Sequence, residues 1–484
     1  MTLSPMDNIM PRFYAKVIMC FRRPVNQDPR EVNRILQEGL RRTIADIPSI
    51  AGKVFVLENK DGEARGRLEL RTNTDWIPEI LLKDFSEEID YDDLVDNGIP
   101  QDDLDADRLF PPVGVLDLHQ GVPVFIAQAN YLTGGLLLGL GMFHSVIDGT
   151  SGMWLAKKWA AHTRQLQGLS KEDDGAALNI LPGSTDYQIL TKLWLAGGHK
   201  PLTAEEANRC DDLNLWRLLG LDPVRATDRS FSLDEQPGPG IPLSTPPMRS
   251  TIFYVSQKSF ASLKAEATKE EDGSNMDLNI SANDALMALL WRAIIRARFP
   301  TVTAAQAGIE TTLDTTFDGR AHFSDALPWT YLGSLIFIGT TRMSLLELTS
   351  PVTSLAAVAR EIRQAIDQIS QERIHAAFGL ASAVADYEHL TFPFATFAGA
   401  EVCITSWIAW SLFDLNFGNI FSNGGRPDLL RPPRREFDAV CRRCVVLPLQ
   451  SHGGFEILVS LGNDEMDRLE KDSEFAKYAR VVCH

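Results

Sequence analysis

The chain has 484 residues and a formal net charge of −17, with 44% hydrophobic and 23% charged residues. That length exceeds one ordinary core, so two domains are expected, and the composition is that of a globular protein in water. The acidic balance argues against nucleic acid and against anionic membranes as partners, and a negatively charged cofactor would need a local basic patch.

The start, Met1-Thr-Leu-Ser-Pro-Met-Asp-Asn8, has neither a basic nor an apolar leader region, and no apolar run reaches membrane-span length. Six cysteines do not make a disulfide framework at this size, so a cytoplasmic, reducing location is expected. Cys441-Arg-Arg-Cys444 lacks a second Cys or His pair at zinc spacing, so both read as structural thiols and no metal is expected.

Tyr14 to Phe21 reads as a first strand. Asp28 as N-cap and Pro29 at the first helical position then start a helix, carried by Val32, Ile35, Leu36, Leu40, Ile44 and Ile47 and stopped before Pro48. The acidic stretch from Ser86 to Asp107 has no register for a calcium loop and reads as a solvated loop with room for a short helix. Pro123 to Asn130 is a strand whose hairpin turns at Leu132-Thr-Gly-Gly135.

Gly134 to Phe143 is entirely apolar or Gly, the pattern of a buried strand. It ends on His144-Ser-Val-Ile-Asp148-Gly149, and Asp148 to Ser151 supply turn and N-cap chemistry before a helical pattern opens at Met153. His144 therefore stands at the exposed end of a buried strand, where a sheet holds its backbone and its ring can reach a cleft. A general base needs that placement. The spacing alone also fits a strand-end histidine bonded to its own loop.

Residues 167–187 read as loop, and the Pro- and Gly-rich stretch 234–249 as a crossover between two lobes, 1–233 and 250–484. Beyond it come a strand from Ser250, a helix from Gln257 to Lys269, a helix capped near Ser281, a strand-like run into Asp318-Gly319-Arg320, and an amphipathic helix from Arg360 to Arg373. The C-terminal part adds a strand at Val402 to Trp407, strands at Cys444 to Pro448 and Phe455 to Leu461, and a helix from Asp464.

Phe143-His144-Ser-Val-Ile-Asp148-Gly149 resembles the His-x-x-x-Asp-Gly motif of the BAHD acyltransferases, in the variant of their fungal trichothecene-acetyltransferase-like branch. Other segments resemble that family in the same linear order: Leu3-Ser4-Pro5-Met6-Asp7, Pro48 to Lys53, Ser281 to Arg292, Asp318-Gly319-Arg320 with Tyr331-Leu332-Gly333, and Ser406-Trp407 with Phe417-Gly418. At the last place the family's Asp-Phe-Gly-Trp-Gly reads Asn416-Phe417-Gly418-Asn419-Ile420, so the Asp, the Trp and the second Gly are replaced.

The resemblance implies an α/β protein of two chloramphenicol-acetyltransferase-like lobes, with mixed, mostly antiparallel sheets flanked by helices and a channel between them. It implies an acyltransferase with acyl-CoA as co-substrate, a small-molecule acceptor, no permanently bound cofactor, and a monomer. His144 is then the base, Gly149 belongs to the same motif, and Asp148 supports the loop by pairing with Arg320. Donors to the oxyanion are sought after His144, around Gly149, or in the hydroxyls of Thr405 and Ser406. Lys264, Ser281, Arg426 and Arg431 are candidate cofactor contacts, with Arg434 and Arg435 as alternatives. Asn416, Phe417 and Gly418 are read as architectural, and Asn416 in place of Asp would loosen that loop. A relative that takes its acyl group from a carrier protein shares the His motif but starts it with a second His, where this chain has Phe143. A ligand-binding homologue without catalysis is the third reading.

Overall fold

The computed structural model describes the chain except residues 25–26, 59–62, 170–178, 223–246, 270–278, 304–305, 393–398 and 435–441. The expected crossover therefore lies, but for 247–249, outside the described residues, as do Arg435 and Cys441. Among the described residues seven strands precede it: β1 (Tyr14–Arg22), β2 (Gly52–Val56), β3 (Leu68–Thr72), β4 (Ile80–Asp84), β5 (Val122–Pro123), β6 (Phe125–Leu132) and β7 (Gly135–Phe143). Eight follow it: β8 (Met248–Val255), β9 (Glu310–Asp318), β10 (Ile336–Ser344), β11 (Glu401–Ser406), β12 (Leu429–Arg431), β13 (Arg443–Val446), β14 (Phe455–Gly462) and β15 (Ala479–Cys483).

They form a five-stranded sheet in the order β12-β1-β7-β6-β4, a seven-stranded sheet in the order β10-β9-β11-β13-β14-β8-β15, and a small sheet β3-β2-β5. Both large sheets are mixed. β4 runs parallel to β6, and β11 runs parallel to β9 and β13, while every other pairing in them is antiparallel. This is the α/β architecture the sequence implied.

β6 and β7 lack an apolar–polar alternation because both faces of their sheet are covered. Val17, Met19, Leu136 and Leu138 point into one core, and Ile18, Cys20 and Leu137 into another. On the first face lie helices α2 (Pro29–Asp46) and α5 (Gly149–Leu166), which follow the short N-terminal helix α1 (Pro5–Ile9) and the strand-end histidine respectively. Their axes come close at Gly39, where a Cβ would stand 2.3 Å from Thr163 Oγ1, and the Trp159 indole N–H donates to Leu36 O at 2.9 Å.

The second face is covered by the acidic stretch, which corrects the solvated-loop expectation. It folds into α3 (Tyr91–Asp96) and α4 (Ala106–Leu109), burying Tyr91, Leu94, Leu109 and Phe110. Its acids serve as caps: Asp90 accepts from Asp92 N and Asp105 from Asp107 N. A count of charges along the stretch hid the apolar residues three and four apart that hold it down.

Two segments cross the expected linear division. β12 adds to β1 as the edge strand of the first sheet, and Leu412, Leu415, Phe417, Ile420 and Phe421 fill that sheet's core. In the other direction, Leu190, Trp194 and Trp216, on helices between 189 and 218, pack with Phe323, Phe337 and Phe378.

Candidate active site

His144 follows the last residue of β7 and is half-buried. Its backbone N–H donates to Phe13 O at 2.9 Å and its carbonyl accepts from Ser334 Oγ at 3.1 Å. The Phe13 ring lies 5.3 Å from the imidazole, tilted by 55°. The main chain on both sides of the base is thus tied to other elements, and the ring has one aromatic wall.

Asp148 is the N-cap of α5, which starts at Gly149, four residues before the helical pattern visible in the sequence. It forms a capping box with Ser151, whose N–H donates to Oδ1 at 2.9 Å. Arg320 meets the same carboxylate with two parallel bonds, Nη1 to Oδ2 at 2.9 Å and Nη2 to Oδ1 at 3.0 Å, and Leu335 N donates to Oδ2 at 3.0 Å. Burial alone would raise the Asp148 pKa, but the charge and hydrogen bonds of Arg320 outweigh it and hold the carboxyl below its usual value. The guanidinium is likewise buried, and Asp148 with Asp318 keeps it charged.

The remaining Arg320 donors go to the carbonyls of Tyr331 at 3.0 Å and Gly333 at 2.8 Å. The next two residues turn their polar groups the other way. Ser334 N donates to Asp7 Oδ1 at 2.7 Å, its hydroxyl reaches His144 O, and Leu335 N reaches Asp148. Residues 331–335 form a strap fastened to α1, to the His144 turn and to the Arg320 pair. Sequence reasoning missed Asp7, Ser334 and Leu335 as parts of the site. In the sequence Asp7 stood out only as part of the family-like segment Leu3 to Asp7; its capping-box spacing with Ser4 is a signal that could have marked it as a helix start.

Residues 13–157 match the family described as trichothecene 3-O-acetyltransferase-like N-terminal domain, and residues 245–476 match the transferase family. The chain belongs to that transferase family, of the BAHD type. An eremophilane O-acetyltransferase of Penicillium rubens is 28% identical, over 98% of this chain and 97% of its own length. A second eremophilane O-acetyltransferase, from Penicillium roqueforti, is 27% identical over the same shares. F. sporotrichioides TRI101, solved complexed with coenzyme A and T-2, shares the fold at a TM-score of 0.73 and 19% identity, covering 100% of this chain and 99% of that one.

In this acyltransferase the end of β11 meets the His144 turn through tryptophans. Trp407 stacks on Trp410 at 5.5 Å, and the Trp410 ring lies where a Cβ on Gly149 would be, 1.8 Å away. That approach is why Gly opens α5. Thr405 and Ser406, at the end of β11, are half-buried, and Ser406 Oγ is enclosed with no hydrogen-bond partner among the described residues.

The degenerate motif is held more firmly than its sequence suggested. Asn416 Oδ1 accepts from Gly418 N at 2.8 Å, so the amide keeps the bond geometry of the motif without the charge a carboxylate would add. Gln167 clamps the loop from α5, donating to Phe417 O at 2.7 Å and accepting from Ile420 N at 3.1 Å. Phe417 is buried edge-on against Phe21 and Trp159, and Gly418 needs its φ of +84°.

The cofactor candidates separate sharply. Lys264 and Arg426 are exposed. Ser281 caps the helix Ala282–Arg298 in a box with Asp284, and Arg363 binds both. Arg434 sits 3.7 Å from Asp102. Arg431 is a correction: it is fully buried, and its donors go to Glu456, Leu430 O, Gly98 O and Ile99 O, leaving none for a phosphate.

Proposed function

We propose that this enzyme transfers an acetyl group from acetyl-CoA to a hydroxyl, or an amine, of a small-molecule secondary metabolite by direct attack, with His144 as general base. The observation that carries the reading is His144 itself, set at the end of a buried strand with its N–H bound to Phe13 and its carbonyl to Ser334, in a turn that ends on the buried Asp148–Arg320 pair. The neutral imidazole takes the proton of the acceptor hydroxyl as its oxygen attacks the thioester carbonyl carbon. The tetrahedral intermediate collapses with loss of the CoA thiolate, which recovers the proton from the imidazolium. Ser406 Oγ, with a hydroxyl to spare, is the side-chain candidate for stabilising the oxyanion.

Asp148 does not share the proton work. Four N–H groups occupy its oxygens, and its ionised form is favoured throughout. Lys264 and Arg426 remain as cations for the CoA phosphates. Two relatives named O-acetyltransferases, and fold neighbours solved with coenzyme A and with T-2 or deoxynivalenol, support the donor and the kind of acceptor. The working form is a monomer in the cytoplasm, and no helix of the described residues is long and apolar enough to cross a membrane.

Incubation with acetyl-CoA and a panel of hydroxylated terpenoids, read by release of free thiol, tests the activity. His144→Ala is expected to lower turnover by at least about a hundredfold with an unchanged circular dichroism spectrum. Near-normal turnover in that variant would remove His144 from the mechanism.

A further inference from the structure

The N-terminal helix reaches the turn that carries the base through Ser334, and its one buried carboxyl has more bonds than helix capping requires. In a capping box the third helical residue needs a single acceptor for the N–H of the cap residue. Asp7 provides it with Oδ2, which takes Ser4 N at 2.8 Å. Its other oxygen, Oδ1, takes the N–H of Ser334, a residue 327 positions along the chain, at 2.7 Å. Asp7 is completely buried, and among the described residues no cation meets it. Around it stand the Asp148 carboxylate and the hydroxyl-bearing rings of Tyr187 and Tyr331. Burial pushes the carboxyl up to about 7 against the bonds from Ser4 and Ser334. A helix start gains nothing from such burial, since an exposed Glu or Gln closes the same box at lower cost.

What the buried carboxyl holds is the residue that holds the base. With its amide fixed by Asp7, Ser334 presents its hydroxyl to His144 O at 3.1 Å, and the next amide, Leu335 N, binds Asp148 at 3.0 Å. Two consecutive residues therefore pin both ends of the His144–Asp148 turn. The chain after α1 completes the wall: Met10 O accepts from Ser145 Oγ at 3.4 Å, and Phe13 O from His144 N at 2.9 Å. We infer that Asp7 is a positioning residue for His144, acting through Ser334. The inference rests on His144 being the base, as proposed above. Both faces of the Asp7 carboxyl meet N–H donors, so a carboxylate satisfies both while an Asn satisfies one and turns its own N–H₂ toward the other.

Acetyl transfer by the full chain is measured for Asp7→Asn, Asp7→Ala, Ser334→Ala and Ser334→Thr, each corrected for folded fraction by calorimetry. Ser334→Ala removes only the hydroxyl and leaves the amide on Asp7. A misplaced base costs turnover rather than donor binding, so kcat is expected to fall about ten- to a hundredfold in Asp7→Asn, further in Asp7→Ala, and about tenfold in Ser334→Ala. The KM for acetyl-CoA should stay within about threefold, and Ser334→Thr should recover most of kcat. In a His144→Ala background, Asp7→Asn should lower the residual rate no further. An unchanged kcat per folded enzyme in Ser334→Ala would overturn the inference, even if the Asp7 variants fail to fold. So would an Asp7→Asn effect that persists in full without His144. If His144→Ala alone keeps full activity, the assignment of the base falls first, and that result is distinct from the other two.

Discussion

Asp148 accepts bonds from Ser151 N, Leu335 N and two nitrogens of Arg320, all in the interior. A buried ion pair adds little compared with an apolar substitute, but removing one partner strands the other charge. Asp148→Asn keeps the shape and turns an N–H₂ group against N–H donors. Arg320 keeps Asp318, so the loss is expected near the low end of such cases, about 3 kcal/mol. The Asp148 pKa is depressed below 3.8 in the fold, so the pair's contribution is complete above that value and fades as pH falls through the lower, folded-state pKa. The melting-temperature gap between the variant and the parent chain should therefore not narrow from pH of about 8 to about 5, and should do so only below about 4. A gap that already closes between 7 and 5 would contradict the depressed pKa. His144 and Asp148 were legible because strand, turn and cap chemistry lie within a few residues of each other. The reach of Asp7 to Ser334 was not, because a hydrogen bond between distant residues leaves no local pattern.

At the scale of elements, caps and stops read well. Asp28 with Pro29 and Ser281 cap their helices as read, the helix expected from Gln257 starts there, and α2 ends at Asp46, just before Pro48. Periodicity misjudged the expected helix from Arg360 to Arg373, which is two helices, Leu355–Asp367 and Gln371–Ser382, the second capped by Ser370. The apolar stripe runs on across that break, so only the cap residue marks it. Gly149 shows the same limit. Its φ is ordinary for a helix start, and the Trp410 ring that demands a glycine comes from the far half of the chain. Gly149→Ala is expected to displace either the first turn of α5 or the ring, lowering kcat about tenfold or more. Trp410→Phe removes the indole atoms that the new Cβ would strike. The double variant should regain much of the loss, a coupling of about 1–3 kcal/mol in a double-mutant cycle on kcat/KM. Strictly additive effects would mean that the contact does not matter.

The two large sheets were legible as two runs of strand-and-helix grammar, but not the exchange between them. Residues 412–431 return from the second half to complete the first sheet and its core, and they end on Arg431. From β12 its guanidinium crosses to Glu456 on β14 of the other sheet, Nη1 to Oε2 at 2.5 Å, and takes the Gly98 and Ile99 carbonyls beyond α3. Burial would lower the Arg431 pKa, yet the Glu456 charge and bonds raise it, so the guanidinium stays charged. The two sheets are joined at this point by a charge pair rather than by apolar packing alone. Arg431→Met leaves Glu456 buried without its cation, and Glu456→Gln leaves Arg431 without its anion, so each should cost about 3–5 kcal/mol of stability. Joint replacement by Met and Leu should cost clearly less than either single change, because no charge is then stranded. The KM for acetyl-CoA should move little in any of the three, whereas Lys264→Ala should raise it if that exposed lysine meets the phosphates. A large rise in that KM in the folded Arg431→Met protein would return Arg431 to the cofactor and deny it the role of joining the sheets.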